Sequence, residues 1–436
     1  MLSHRGTTLA ETVEAARLRR RDLLRLAATG VGGVLALHGL GRTGAQDAAS
    51  GAISYWHHFT SETEMAGMER VLEQFKTAHP GVEVVPENIP NADYMAKFTS
   101  AALAGSLPDT AMVAVDRLPD MWGMEGVQPL TEMIDAWELK DAFPESVWAG
   151  ATIDGQIYGV PAFMFVDWMY YRVDWFEEAG IAGPPQTWQE FVDAAIKITD
   201  PDQGRYGFGL RGGDGGEGIM IQVFQGFGSP IATAEGCAAL DPAMVAEAMT
   251  SYLGLFTEHQ AAPPSAPGDS FRQIMEAFKT GQTGMIFHHT GSLTEIVDVL
   301  GDTVMTAPRP VGPAGGMVAN IAPLFNGMPK ADNVDAAWAW LAQWGQVDSE
   351  VAFLEETGYF PPNNEVANDE RVTSNPLYQA AIETMNTAGL PPQFPGYPGW
   401  SKQTVLPAMQ QVLLGEKTPE QAAEAIATGL REAAGC

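Results

Sequence analysis

From residue 51 onward, short apolar runs alternate with segments whose apolar residues recur at helical spacing. "AISYW" (52–56) reads as a strand. In "MAGMERVLEQFKTAHPG", Met65, Met68, Val71, Leu72 and Phe75 share one helical face, and Pro80-Gly81 ends the pattern. "VEVVPENI" reads as a second strand. "NADYMAKFTSAALAGSLPD" reads as a helix capped by Asn91, and "TAMVAV" as a third strand running to Asp116. This β-α-β-α-β order predicts a parallel sheet with helices on its faces, whose ligands meet the carboxyl ends of the strands. Further on, "GQIYGVPAFMFVDWMYYRVDWFEEAGI" reads as a strand, an apolar turn and a second strand leading into a short helix. "TWQEFVDAAIKITD" is a helix opened by a Thr187/Glu190 capping box. "RYGFGLRGGDGGEG" is a short strand entering a glycine-rich loop, and "DSFRQIMEAFKTGQTGMIFHHTGSL" a helix, a turn and a strand ending in two histidines. "NVDAAWAWLAQWG" is a helix whose Trp338, Trp340 and Trp344 are assigned to packing. There is no internal repeat.

The first 45 residues break this rhythm. Arg20-Arg21-Asp22-Leu23-Leu24-Arg25 fits the twin-arginine export pattern, and an apolar stretch, Leu26–Leu40, follows it. That stretch, with four glycines and His38, is too short and too mild to span a membrane. Thr43-Gly44-Ala45 suits a signal peptidase, so cleavage is expected after Ala45. Seven Arg stand against three acidic residues in 1–45, so the net charge of −30 becomes −34 in the mature chain. Such an acidic balance excludes a general nucleic-acid or anionic-membrane binder, which needs an excess of Lys and Arg. The two cysteines, Cys237 and Cys436, form no metal-ligating pair and no disulfide framework. The expected product is a soluble protein of the periplasm or cell exterior. At 436 residues the chain has room for two domains with separate cores.

Seven stretches in order, "VLEQFKTAHPGVEV", "PDTAMVAVDRLPDMWGMEGVQPLTEMID", "GQIYGVPAFMFVDWMYYRVDWFEEAGI", "PQTWQEFVDAA", "FKTGQTGMIFHHTGSL", "TGYFPPNNEV" and "LLGEKTPEQAAEAI", resemble the extracellular solute-binding proteins of family 1, the sugar-binding subunits of ABC importers. "YGFGLRGG" further resembles members that take polyols and small sugars. The resemblance implies an α/β, two-lobed periplasmic-binding-protein fold of the type II kind that closes on its ligand. It implies lobe one at 46–158 plus 306–358 and lobe two at 163–303 plus 362–436. Crossings would fall near Tyr158–Ala162, Met305–Arg309 and Gly358–Pro362, stiffened by nearby prolines. It also implies a monomer that hands a small carbohydrate or polyol to the membrane permease, with no cofactor, no metal and no catalysis.

A sugar offers hydroxyls and apolar C–H faces, so its site needs aromatic platforms and planar polar groups. At the expected lobe-one strand ends these are Trp56, one of His57 and His58 (neighbours on a strand point opposite ways), and Asp116. After the hinge come Phe163, Asp167 and Trp168. Arg211 offers a fork for two adjacent hydroxyls or a carboxylate. His289, Asn320, Tyr359 and Trp400 complete the candidate set; the alternative for each aromatic is core packing, and for Arg211 a surface ion pair. The glycine run at 212–216 does not fit a phosphate-binding loop. Three rival readings remain: zinc or copper held by the two His-His pairs, a carbohydrate-active enzyme using Asp116 and Asp167, and a binding protein for glycerol phosphate.

Overall fold

The computed structural model describes residues 49–231, 239–316, 318–394 and 396–435. The export signal with its cleavage site, Cys237 and Cys436 lie outside these residues. The strands are β1 (Gly51–His57), β2 (Val82–Asn88), β3 (Thr110–Ala114), β4 (Thr152–Ile153), β5 (Gln156–Ile157), β6 (Val160–Arg172), β7 (Tyr206–Gly209), β8 (Thr283–His289), β9 (Val304–Ala307) and β10 (Ile321–Gly327). The helices that matter below are α1 (Glu62–Ala78), α2 (Tyr94–Ala104), α3 (Leu118–Gly123), α4 (Trp188–Lys197), α5 (Gly216–Gly226), α6 (Pro242–Thr257), α7 (Phe271–Lys279), α8 (Val334–Trp344), α9 (Val347–Thr357), α10 (Gln379–Thr387), α11 (Leu406–Leu413) and α12 (Pro419–Ala434).

Lobe one is built on the strand order β2-β1-β3-β10-β6. The first three strands are parallel, as the β-α-β-α-β rhythm requires. β10 and β6 add antiparallel partners, so the sheet is mixed. Helix α1 lies on β2 beside α8 and α9. It starts at Ser61, whose hydroxyl accepts from the Glu64 amide, while Glu64 Oε2 accepts from the Ser61 amide. This capping box satisfies two end donors that would otherwise be orphaned. The Thr187/Glu190 box expected for α4 is present in the same form. Asn91 does not cap α2. Asp93 precedes that helix, and Asn91 Oδ1 instead accepts from Arg117 Nη2 at 2.6 Å.

The stretch read as strand, turn and strand is one 13-residue strand, β6. Its first half pairs with β10 through Val166, and its second half pairs with β8 and β9 from Asp167 onward. Both halves are hydrogen-bonded and buried on both faces, so no turn interrupts them. The second lobe's sheet is therefore β7-β8-β6 with β9 beside β6, carrying α4, α5, α6, α11 and α12 over one core and α7 and α10 over the other face.

Three boundaries move as a result. Val160 and Pro161, expected in a crossing, still pair with lobe one's β10, and the change of sheet comes at Val166/Asp167. Residues 308–316 and 318–319 stay with lobe two, because Val311 bridges Thr187 and Val318 belongs to that lobe's core. Residues 362–373 stay with lobe one, where the Asn363 amide donates to Glu350 Oε2 and Val366 and Val372 are buried.

Candidate functional site

β1 ends at His57 and His58 follows it, and the alternation sends the two histidines different ways. His57 is buried; its Nδ1 accepts from the Phe59 amide, and its ring lies against Tyr55 and Phe59. His58 is partly exposed, edge-on to Tyr94, and its buried Nδ1 has no hydrogen-bond partner. Burial pushes both imidazoles down to about 4, with Arg117 adding to the effect on His58, so both are neutral at pH 7. Trp56 is not an open platform. It is buried, and Lys97 Nζ sits 4.6 Å from its ring centroid.

Beyond β3, Asp116 and Arg117 lead into α3. Burial raises the Asp116 carboxyl, and the neighbouring Arg117 partly offsets that rise. Arg117 donates one nitrogen to Asn91, while its Nη1 is buried without a partner. Asp120, one turn on, accepts from the Gly396 amide at 3.3 Å, a contact between lobe one and the C-terminal part of lobe two.

The facing wall comes from α5 and the segment after Gly396. Lys402 Nζ lies 2.5 Å from Asp214 Oδ1 and 2.8 Å from Glu217 Oε1. Its charge also lowers Asp116 across the cleft. Glu217 is 5% exposed, and its second oxygen has no partner. Arg211 donates Nε to the Asp214 carbonyl at 2.7 Å and lies over Phe271, 5.6 Å from the ring centroid. The left-handed turn at Gly215 (φ +85°) leaves room for this guanidinium, since a Cβ there would fall 1.8 Å from Arg211 Nη2.

Behind the cleft, Tyr359 donates to Glu64 Oε1 at 2.6 Å and packs on Phe163, Phe165 and Phe353. Burial raises the Glu64 carboxyl, but the Ser61, Tyr359 and Thr60 donors more than reverse this, so it ends below its ordinary value. His289 accepts from the Gly291 amide and stacks on Phe271. Burial, Arg211 and Arg309 press its pKa to about 3.

The candidate residues thus separate. Of these, Asp116 and His58 share Arg117 as a neighbour, His289 lies near Arg211, and Tyr359 bonds Glu64 and lies near His289. Trp168 is fully buried against Tyr170, and Phe163 is 2% exposed in the lobe-one core, so neither offers a ligand a surface. Trp400 is 3% exposed; its indole donates to the Ile426 carbonyl and its ring packs on Phe394 and Tyr397. Those expectations are corrected: strand ends and loops supplied the aromatics, but the cores claimed them. Asp167 is engaged internally, by Gln222 Nε2 (2.6 Å), the Asn320 amide (3.2 Å) and Arg309 Nη2 (3.2 Å). Asn320 is 9% exposed, and both its backbone groups are used on Asp167. Glu217, Lys402 and Arg309 escaped sequence reasoning. Only the unusual "DGGEG" and "GWSK" contexts mark the first two.

Residues 60–367 match the family model of bacterial extracellular solute-binding proteins. The chain belongs to this family. Among its relatives, the mannitol-binding protein of Pseudomonas aeruginosa is 24% identical over 365 residues, covering 77% of this chain and 80% of that protein. A solute-binding protein of Thermotoga lettingae, solved with α-D-tagatose, superposes with a TM-score of 0.78 at 22% identity, covering 88% of this chain and 100% of that one. One from Agrobacterium vitis, solved with D-mannitol, gives 0.73 at 21% identity over 87% and 97%. The fold shared with these structures is the two-lobed solute-binding architecture. Among the described residues of this family member, no helix is long and apolar enough to cross a membrane.

Proposed function

We propose that this solute-binding protein captures a small carbohydrate or polyol between its lobes and delivers it to the membrane permease of an ABC importer, catalysing no reaction. One observation carries the reading. Polar atoms without protein partners occur on both lobes among the residues of the candidate site: His58 Nδ1 and Arg117 Nη1 on one, Glu217 Oε2 on the other. Buried polar atoms without partners are costly, and a polyhydroxylated ligand supplies both hydrogen-bond senses at once. Relatives solved with or named for mannitol and tagatose support the same ligand class. The metal reading lacks support: among the described residues, no three or more His, Cys, Asp or Glu side chains form a group suited to a metal ion. The enzyme reading loses one carboxylate, since Asp167 is committed to Arg309. Export by the twin-arginine route and a monomeric mature protein belong to the proposal and rest on the sequence.

A thermal-shift screen of residues 46–436 tests it, using hexitols, monosaccharides, disaccharides, glycerol phosphates, amino acids and divalent metals. A ligand that binds only the folded state raises the melting temperature. A rise with a hexitol or sugar is expected. A rise confined to metals or glycerol phosphate would overturn the proposal.

A further inference from the structure

Two short stretches from different lobes touch at Asp120 and Gly396. On lobe one, Asp120 stands in the first turn of α3, which Pro119 shapes and the buried Leu118 and Met121 hold against the core. On lobe two, Gly396 precedes a helical run that starts at Tyr397, passes through a π-turn at Ser401–Val405 and continues into α11. Buried Phe394, Tyr397 and Trp400 fix that run, and the Trp400 indole donates to the Ile426 carbonyl of α12 at 3.1 Å. Gly396 has φ +85°, and a Cβ on it would fall 3.2 Å from the Ala433 carbonyl oxygen, so α12 backs the turn closely. From this turn the Gly396 amide donates to Asp120 Oδ1 at 3.3 Å.

The contact is placed to register lobe separation, because packed elements of different lobes carry its two ends. The order β3-β10-β6 puts two strand spacings, about 10 Å, between β3 and the strand on which the sheets change. A rotation about β6 therefore parts the pair. The amino end of a helical run carries partial positive charge, which favours a carboxylate in front of it. Lys402 lies on the same run, and its charge also acts on Asp116, four residues before Asp120. The bond can also let go. Asp120 lines an open cavity of about 470 Å³ with Met95, Ala96, Thr99 and Met124, so water has access to replace the amide.

We infer that Asp120 and Gly396 form a clasp built into the fold, which biases the lobes toward their closed arrangement independently of any ligand between them. Every group in the clasp belongs to the chain, so its energy adds to whatever a ligand contributes. Apparent affinity rises with the fraction of the protein that is already in the binding-competent state. Asp120 thus strengthens binding without touching the ligand. This inference rests on the two-lobed fold and not on the identity of the cargo.

Hydrogen exchange and small-angle X-ray scattering on residues 46–436 without ligand test it. Asp120→Ala removes the acceptor; Asp120→Asn keeps an acceptor oxygen but gives up the charge. A melting curve checks that each variant folds. In Asp120→Ala the Gly396 amide exchanges about two- to fivefold faster than in the parent, the range for a contact open to water, and the radius of gyration rises. Asp120→Asn falls between the two. With the sugar or hexitol that gives the largest thermal shift, Asp120→Ala binds more weakly by the same factor. Faster exchange with an unchanged radius of gyration would mean that the bond orders a turn without holding the lobes, and would overturn the inference. So would parent-like exchange and radius in both folded variants. If no sugar or hexitol binds, the carbohydrate reading fails, and the ligand-free measurements still decide the clasp.

Discussion

Replacing Arg309 by Met tests what ties the lobe-two sheet together next to the change of sheet on β6. Arg309 is 3% exposed and stands just after β9, where the chain runs beneath the change of sheet on β6. Its Nε donates to the Trp168 carbonyl (3.2 Å) and its Nη2 to the His288 carbonyl (3.1 Å), so it ties β6 to β8. Its Nη1 bonds Gln222 of α5, and its Nη2 pairs with Asp167 Oδ1 at 3.2 Å. The methionine fills much of the volume but leaves Asp167 without its cation and two carbonyls without their donor. Removing one partner of a buried ion pair costs about 3–5 kcal/mol. With an unfolding entropy of ~2.1 cal/mol/K per residue over roughly 390 folded residues, that lowers the melting temperature by about 4–6 °C. Calorimetry of the ligand-free protein reads the shift directly. Arg309→Lys, which keeps the charge but cannot fork, falls between the two. A melting temperature within 1 °C of the parent in Arg309→Met would refute the reasoning, since it would mean that these bonds are replaced by water at no cost.

The remaining predictions concern the histidines, the cleft floor and its hinge-side tyrosine. His57 and His58 sit near 4 when folded, below the 6.5 of a free imidazole, so acid favours the unfolded chain. Their contribution to stability is full above pH 6.5 and is lost as the pH falls toward 4; a melting curve against pH shows the decline, and His57→Gln makes it shallower. Gly291→Ala puts a Cβ 1.9 Å from Tyr359 Cε1 and displaces that ring, costing about 1–3 kcal/mol in a denaturant titration; an unchanged midpoint would show that the ring moves freely. Tyr359→Phe gives up the bond to Glu64 at 2.6 Å and costs about 1.5–3 kcal/mol by the same titration, with the far-ultraviolet spectrum unchanged.

Much of the fold is legible from periodicity, because both parallel strand pairs of lobe one are separated by helices with clear apolar faces and one strong capping signal. The hinge is not. "VPAFMFVDWMYYR" is apolar almost throughout because β6 is covered on both faces, and such a run hides whether it turns or continues. The sheet it joins changes at Val166/Asp167 without a proline or glycine to announce it. Among candidate residues, polarity at a strand end pointed to Asp116 and His58, and period-2 alternation matches the different burial of the two histidines. Aromatic identity located nothing, since Trp168 and Trp400 look the same in sequence whether they face a ligand or a core. Glu217 and Lys402 lie 185 residues apart, and only tertiary packing makes them neighbours.

The central claim is that a polyhydroxylated ligand is gripped between Arg117 and His58 on one lobe and Glu217 on the other. Its most direct test is a titration of the parent, Arg117→Ala and His58→Ala with the sugar or hexitol that gives the largest thermal shift. The account predicts that each variant, shown to be folded by its ligand-free melting curve, loses tenfold or more in affinity. Parent-like affinity in both folded variants would contradict it, and would place the ligand elsewhere on the molecule.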